Sequence, residues 1–104
     1  MTINRMEAII TTGYAPLVLP QNICVFPKGD CMKYLPRYNS EGDVIAKEHL
    51  VSFYNFAYNF NIENADVWMR LFVQSLNGKV RKWFHCLNPV SIISIEALDK
   101  DFLK

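Results

Sequence analysis

The chain has 104 residues, of which 51% are hydrophobic and 20% are charged, and its formal net charge is +1. This length allows one domain, and the balance of apolar and charged residues is that of a globular protein. A net charge near zero excludes a strong overall field that would draw the chain to nucleic acid or to an anionic membrane. The longest apolar runs, such as residues 23–26, are too short to span a bilayer, so we expect a soluble cytosolic protein with no membrane partner.

Residues 1–44 carry most of the residues that interrupt helices. Four of the five prolines and three of the four glycines lie in this part of the chain. Because proline lacks a backbone N–H and restricts the residue before it, no long helix fits between residues 13 and 43. The sequence therefore predicts an extended, irregular N-terminal arm over residues 1–44, followed by a helical domain over residues 45–104.

The helical domain opens with residues 45–60, and Asp43 is the nearest candidate for the N-cap of this helix. Its apolar residues recur at spacings of four and three, which indicates one buried helix face. The many Phe and Tyr residues raise the β-propensity, so a strand is the competing interpretation. About fifteen residues without a turn signal exceed a typical strand, and this length favours the helix.

The same apolar spacing predicts three further helices, over residues 65–77, 79–87 and 95–103. Asn64 and Ser94 are expected to cap two of them, and Gly78 is expected to end one in the left-handed conformation that glycine adopts without a Cβ penalty. The sequence thus predicts an all-α fold, a small four-helix bundle. Its predicted core consists of Leu50, Phe53, Ala57, Phe60, Trp68, Phe72, Leu76, Val80, Trp83, Phe84, Leu87, Leu98 and Phe102.

Residues 66–87 carry the motifs that make the chain recognisable. The strings Trp68-Met69-Arg70-Leu71-Phe72, Ser75-Leu76-Asn77-Gly78 and Trp83-Phe84, with Leu87, closely resemble the Gag domain of Ty3/gypsy-type retrotransposons, especially those of plants. The match is extended by Leu35-Pro36-Arg37-Tyr38, Glu48-His49-Leu50, Ser91-Ile92, Glu96-Ala97-Leu98 and Phe102-Leu103. The resemblance covers about two-thirds of the chain.

The resemblance implies a structural, helical capsid-type protein that forms homo-oligomers, assembles into a particle shell and has no catalytic activity. Members of the family continue beyond the last predicted helix, so we expect a C-terminally truncated Gag fragment. Two alternatives stay open. The chain could be a host-adopted Gag remnant that serves as a peptide-binding or scaffolding module, or a decayed reading frame with no selected function.

Cysteine and histidine are the residue types here that could bind a metal ion or act in catalysis; they are Cys24, Cys31, His49, His85 and Cys86. Their spacing matches no zinc knuckle or zinc finger, and an odd number of cysteines favours reduced thiols. Adjacent residues on a helix point about 100° apart, so His85 and Cys86 do not face each other as base and nucleophile. Glu48 beside His49 could form an acid–base pair, but the family uses this position for helix packing. We expect no metal site, no cofactor and no enzyme activity.

A hydrophobic groove lined by Phe53, Trp68 and Phe84 could hold an extended peptide, because capsid lobes related to this family bind peptides. The competing interpretation is that these aromatic residues are simply core. The arm segment Met32–Tyr38 carries apolar surface and could fill such a groove in cis, or link subunits in trans.

Lys79, Arg81 and Lys82 form a basic cluster that could make a weak contact with RNA. Three charges on one short helix are more often a solvated face, and we favour that interpretation.

Overall fold

The computed structural model describes residues 14–20, 26, 31–42 and 44–104. Within these residues the chain forms four α-helices and no strand: α1 (Ala46–Asn59), α2 (Ala65–Gln74), α3 (Gly78–His85) and α4 (Ile95–Phe102). The predicted all-α fold is confirmed. A short 3₁₀ turn (Cys31–Tyr34) precedes the helices, within the stretch expected to be extended. No helix of the described part is long and apolar enough to cross a membrane.

The helix ends depart from the prediction at α2 and α3. Helix α2 stops at Gln74 instead of Asn77, because the residues between them form a connection that hydrogen-bonds to the N-terminal arm. Gly78 has a φ of +54°, the left-handed conformation expected of it, but it is the first residue of α3 and does not directly follow α2. Helix α3 ends at His85, two residues before the predicted end at Leu87.

The helix caps agree with the sequence only in part. Asp43 lies outside the described residues, and the N-cap position of α1 is held by Ile45, which offers no side-chain acceptor. Asn64 occupies the N-cap position of α2 without a side-chain hydrogen bond. The Oγ of Ser94 accepts a hydrogen bond from the backbone N–H of Ala97 at 3.1 Å, so Ser94 caps α4 as predicted.

Helices α1, α2 and α4 meet around the ring of Phe72. This ring contacts Phe53 and Phe102 edge to face, with centroid distances of 5.1 and 5.0 Å. Edge-to-face contact is a favoured arrangement of aromatic rings, because it places a positive ring edge on a negative ring face. Most of the predicted core is buried, namely Leu50, Phe53, Ala57, Trp68, Phe72, Leu76, Val80, Phe84, Leu98 and Phe102. The remaining three are half-buried, namely Phe60, Trp83 and Leu87.

The described part of the arm packs on this bundle. Tyr14, Leu17, Cys31 and Leu35 are buried in the same hydrophobic cluster as the helices. Leu17 forms a parallel bridge with Ile92 in the segment before α4. The backbone N–H of Val18 donates a hydrogen bond of 2.8 Å to the carbonyl oxygen of Ile92. The arm therefore contributes to the core on the side where α4 begins.

Candidate functional site

The three aromatic residues considered both as core residues and as the lining of a possible peptide groove lie inside the core. Phe53, Trp68 and Phe84 are all buried. Phe53 and Trp68 meet edge to face at 4.8 Å between α1 and α2. Side chains enclosed in this way do not contact an incoming peptide. Apolar spacing identifies residues that face inward, but it does not distinguish a closed core from an open groove.

An open cleft of about 470 Å³ lies elsewhere, where α3 and α4 meet the end of the arm. Its apolar lining comes from Tyr38, Ala46, Val80, Trp83, Leu87 and Phe102, and its polar rim from Ser40, Lys79, Asp101 and Lys104. The ring of Trp83 lies 6.2 Å from that of Phe102. Two residues predicted as core, Trp83 and Leu87, therefore form part of an accessible surface.

Tyr38 attaches the arm to the C-terminal end of α2. Its N–H donates to the carbonyl oxygen of Ser75 at 2.9 Å, and its own carbonyl accepts from the N–H of Asn77 at 2.8 Å. These two bonds form one parallel bridge with Leu76. Arg37 adds a hydrogen bond of 2.6 Å from Nη1 to the carbonyl oxygen of Gln74. The C-terminal end of the segment Met32–Tyr38 thus lies against the α2–α3 connection, whereas the Tyr34 ring stacks on Phe60 after α1 with centroids 5.8 Å apart.

A buried histidine and serine lie beneath this arm segment. His49 is 1% exposed, and its Nε2 is 2.9 Å from the Oγ of Ser75. The Ser75 hydroxyl donates to the carbonyl oxygen of Phe72 at 2.5 Å, so the imidazole is assigned as the donor to Ser75. Burial lowers the pKa of His49 from 6.5 to about 4, which leaves the ring neutral at pH 7.

A neighbouring histidine and serine can act as base and nucleophile, but this pair is not arranged to do so. Ser75 is completely buried, and its hydroxyl proton is directed at a carbonyl oxygen. The Tyr38 ring stacks on the imidazole with centroids 5.1 Å apart and covers it from the arm side. The arrangement satisfies buried polar groups inside the fold. No sequence spacing indicates this contact, since the two residues come together only through tertiary packing.

The three residues of the basic cluster, for which a solvated face is the favoured interpretation and a weak RNA contact the alternative, do not share one environment. Lys79 and Lys82 are exposed, but Arg81 is half-buried and bonded to backbone. Its Nε donates to the carbonyl oxygen of Leu76 at 2.9 Å and its Nη2 to that of Gln74 at 3.1 Å. The last carbonyl groups of a helix have no partner within the helix and lie at the negative end of its dipole, so a guanidinium stabilises them. Arg81 is therefore a structural residue.

The remaining candidates for metal binding or catalysis are dispersed. Cys31 is buried and Cys86 is exposed, and Cys24 lies outside the described residues. Among the residues described, no three His, Cys, Asp or Glu side chains lie close enough together to hold a metal ion.

The apolar spacing of the sequence does not indicate two polar side-chain pairs, one within a helix and one between two helices. Asp66 and Arg70 form a buried ion pair of 3.1 Å within α2, and the guanidinium lies 4.6 Å from the centre of the Phe26 ring. The spacing of four was a usable signal for this pair. The phenol of Tyr54 on α1 donates to the carboxylate of Asp99 on α4. Burial raises the pKa of both groups, that of Tyr54 to about 12.

The solvent side of α1 is free of charge beyond its first turn. Val51, Tyr54, Asn55 and Tyr58 are all exposed there, and Tyr58 is 83% exposed. Lys47 and Glu48 in the first turn are the only charged residues of the helix. Tyrosine is enriched and charged residues are depleted at the centre of protein–protein interfaces. This surface has the composition of a contact surface.

No protein-family model, no curated protein and no solved structure matches the chain. The resemblance to Gag therefore rests on the residues of the sequence alone, and the support for a function comes from the surfaces described above.

Proposed function

We propose that the chain is a capsid-like Gag structural protein of a retrotransposon, in fragment form, which acts in the cytoplasm by self-association into particles. The observation that carries the proposal is the exposure of large apolar side chains on several separate elements. They include Tyr58 on α1, Ile93 before α4 and Tyr34 on the arm. On α1, Tyr58 shares one exposed side of the helix with Val51 and Tyr54, and a continuous apolar surface of this kind marks an interaction site.

Exposure on several sides fits a shell subunit better than a simple binding module. A subunit in a particle shell contacts neighbours through more than one surface, because each kind of symmetry axis in the shell uses its own patch. The buried His49–Ser75 pair and the dispersed thiols give this proposal no competing catalytic centre among the described residues.

Light scattering of the full chain over a wide range of concentration tests the proposal. The expected result is a mass that rises reversibly with concentration and increases further in a salt that strengthens apolar contact, such as sulfate. Electron microscopy of the concentrated sample should then show particles of regular size. A monomer at every concentration and salt would overturn the proposal.

A second function, that of a peptide-binding or scaffolding module, is favoured by the open cleft beside Trp83. Its volume of about 470 Å³ and its apolar lining fall within the usual range for ligand sites. Titration of the full chain with a synthetic peptide of residues 30–40 should change Trp83 fluorescence if the cleft binds apolar segments. A Trp83→Phe variant supplies the control, and a signal that survives in it would come from Trp68. A chain that stays monomeric and binds the peptide would support this function over the first.

A further inference from the structure

We propose that the N-terminal arm, up to and including Tyr38, is exchanged between two copies of the chain, so that the arm of each copy packs on the helices of the other. The surface that receives the arm, here called the arm site, consists of residues 75–77 after α2 and 90–92 before α4. This inference rests on the self-association proposed above and names one contact that carries it.

The arm site holds the arm by backbone hydrogen bonds at two places. Before α4, the N–H of Val18 donates to the carbonyl oxygen of Ile92 at 2.8 Å, and the N–H of Ile92 donates to that of Pro16 at 2.9 Å. After α2, Tyr38 forms its parallel bridge with Leu76. Backbone bonds of this kind depend on the shape of the bound segment and not on which copy of the chain supplies it.

The segment that fits the arm site is the arm itself. The described part of the arm buries four side chains in the same cluster as the helices, namely Tyr14, Leu17, Cys31 and Leu35. An arm that left the helices would expose this apolar surface to water, so an open arm needs another arm site to cover it. The arm site of a second copy offers the same contacts. These contacts are therefore equal in the closed monomer and in the exchanged dimer.

The arm is joined to α1 by residues 39–45, here called the hinge. Its described residues, 39–42 and 44–45, are all exposed. Among them, the one hydrogen bond before the start of α1 is internal, from the N–H of Glu41 to Oδ1 of Asn39 at 2.9 Å. The hinge can therefore open without breaking a hydrogen bond to the helices. Seven extended residues span about 23 Å, which lets the arm reach a neighbouring copy across a twofold axis.

The closed hinge contains a strained residue. The chain bends at residues 40–42, and Ser40 has a φ of +67° there. In this left-handed conformation the Cβ atom of serine crowds the backbone, so the bend is less favourable than an extended hinge. Opening the hinge relieves this strain once in each copy, whereas association costs translational and rotational freedom. Because the arm contacts cancel, the hinge decides the balance between monomer and exchanged dimer.

Disulfide trapping in the full chain shows which copy supplies the arm. Val18 and Ile93 directly follow the bridged residues Leu17 and Ile92, and both are exposed. Paired segments lie at a spacing that a disulfide can bridge, so cysteines at these two positions can join. In the Val18→Cys/Ile93→Cys variant, the closed monomer forms the bond within one chain and the exchanged dimer forms it between two. Non-reducing gels should show covalent dimers whose share rises with the concentration during oxidation.

The two single variants, Val18→Cys and Ile93→Cys, are the controls for bonds through the native thiols of Cys24, Cys31 and Cys86. Each should give far fewer covalent dimers than the double variant under the same conditions.

Substitutions at Ser40 should shift the monomer–dimer equilibrium in opposite directions. Glycine adopts a positive φ without a steric penalty, so Ser40→Gly stabilises the closed hinge and should weaken dimerisation by about tenfold. Proline fixes φ near −65° and excludes the bend, so Ser40→Pro opens the hinge and should strengthen dimerisation by about tenfold or more. Ser40→Ala keeps the Cβ atom and should associate like the parent. Sedimentation equilibrium measures all three.

Val90→Gly is the matched control for relief of strain. Val90 also has a positive φ, of +48°, and is exposed, but it lies outside the hinge. Its conformation is the same in the monomer and in the exchanged dimer, so the substitution should raise the melting temperature and leave dimerisation unchanged. Circular dichroism should show the same helix content in every variant.

The outcomes separate arm exchange from self-association in general. Disulfides that stay within one chain at concentrations where the parent associates would overturn arm exchange and leave self-association standing. Equal association of the Ser40→Gly and Ser40→Pro variants would overturn it as well. A parent chain that is monomeric at every concentration would overturn self-association itself, together with the exchange that rests on it.

Discussion

The Nε2 of His49 on α1 lies 2.9 Å from the Oγ of Ser75 after α2, and the Tyr38 ring of the arm stacks on the same imidazole. Three segments that are distant in sequence therefore meet at one buried polar pair. Because backbone bonds on both sides of Leu76 hold Tyr38 there, the packing of the arm and the packing of α1 on α2 depend on each other.

Ser75→Ala should destabilise the protein by about 1–3 kcal/mol, because it leaves the buried imidazole N–H of His49 without an acceptor. Urea unfolding measures the change. Ser52→Ala, at an exposed serine of α1, is the matched control and should shift the free energy of unfolding by less than about 0.5 kcal/mol. Equal effects from both substitutions would mean that His49 gains nothing from Ser75.

Stability should decrease as the pH falls from 6.5 towards 4. The lowered pKa of His49, about 4 against 6.5 in the unfolded chain, means that only the unfolded chain binds a proton in this window. The free energy of unfolding is therefore greatest above pH 6.5 and decreases on acidification, by up to about 1.4 kcal/mol per pH unit. Urea midpoints at a series of pH values measure this slope.

His49→Gln should flatten this slope, whereas His85→Gln, at an exposed histidine, should leave it as it is. Asp99 acts in the opposite direction. Burial raises its pKa above 3.8, so its contribution to stability is fully present at low pH and is lost as the pH rises. A slope that persists in the His49→Gln variant would assign the pH dependence to other groups.

Arg81→Ala should cost about 1–2 kcal/mol of stability, because the carbonyl group of Leu76 after α2 loses a charged hydrogen-bond donor and that of Gln74 keeps only the one from Arg37. The exposed Lys82 is the matched control on the same helix, and its replacement by alanine should change stability by less than about 0.5 kcal/mol. Thermal and urea unfolding of both variants supply the comparison. If Lys82→Ala proved the more harmful, the assignment of Arg81 as the structural member of the cluster would fail.

The two adjacent aromatic residues of α3 should respond differently to truncation. Phe84 is fully buried, and Phe84→Ala should cost about 3–5 kcal/mol, through lost burial and the cavity left behind. Trp83 is half-buried at the edge of the cleft, where water can fill part of the vacated space, so Trp83→Ala should cost less. Denaturant unfolding gives both values, and the reverse order would place Trp83 in the core.

Much of the helical architecture could be predicted from the sequence because helix and core share one periodicity. Spacings of three and four placed Leu50, Phe53 and Phe72 on inward faces, and Ser94 was recognisable as a cap from its position before an apolar run. These signals are local, and local preferences agree with the fold in this part of the chain.

The surfaces could not be predicted in the same way, because they depend on which elements cover one another. The apolar spacing predicts both Trp83 and Phe84 as core residues. In the structure Trp83 lies beside the open cleft, next to α4 and the arm. The sequence does not distinguish Arg81 from its lysine neighbours, because only the fold brings its side chain to the backbone that follows α2. His49 and Ser75 are 26 residues apart, and no periodicity joins them.

Backbone ¹H–¹⁵N correlation spectra of the full chain, recorded over a wide range of concentration, show whether the chain self-associates through its exposed apolar side chains. We expect reversible, concentration-dependent shifts that are largest beside the exposed apolar side chains of Tyr34, Tyr58 and Ile93, while the amide of the fully buried Phe53 stays unchanged. Spectra that do not change with concentration, or changes confined to the cleft around Trp83, would contradict self-association through these side chains.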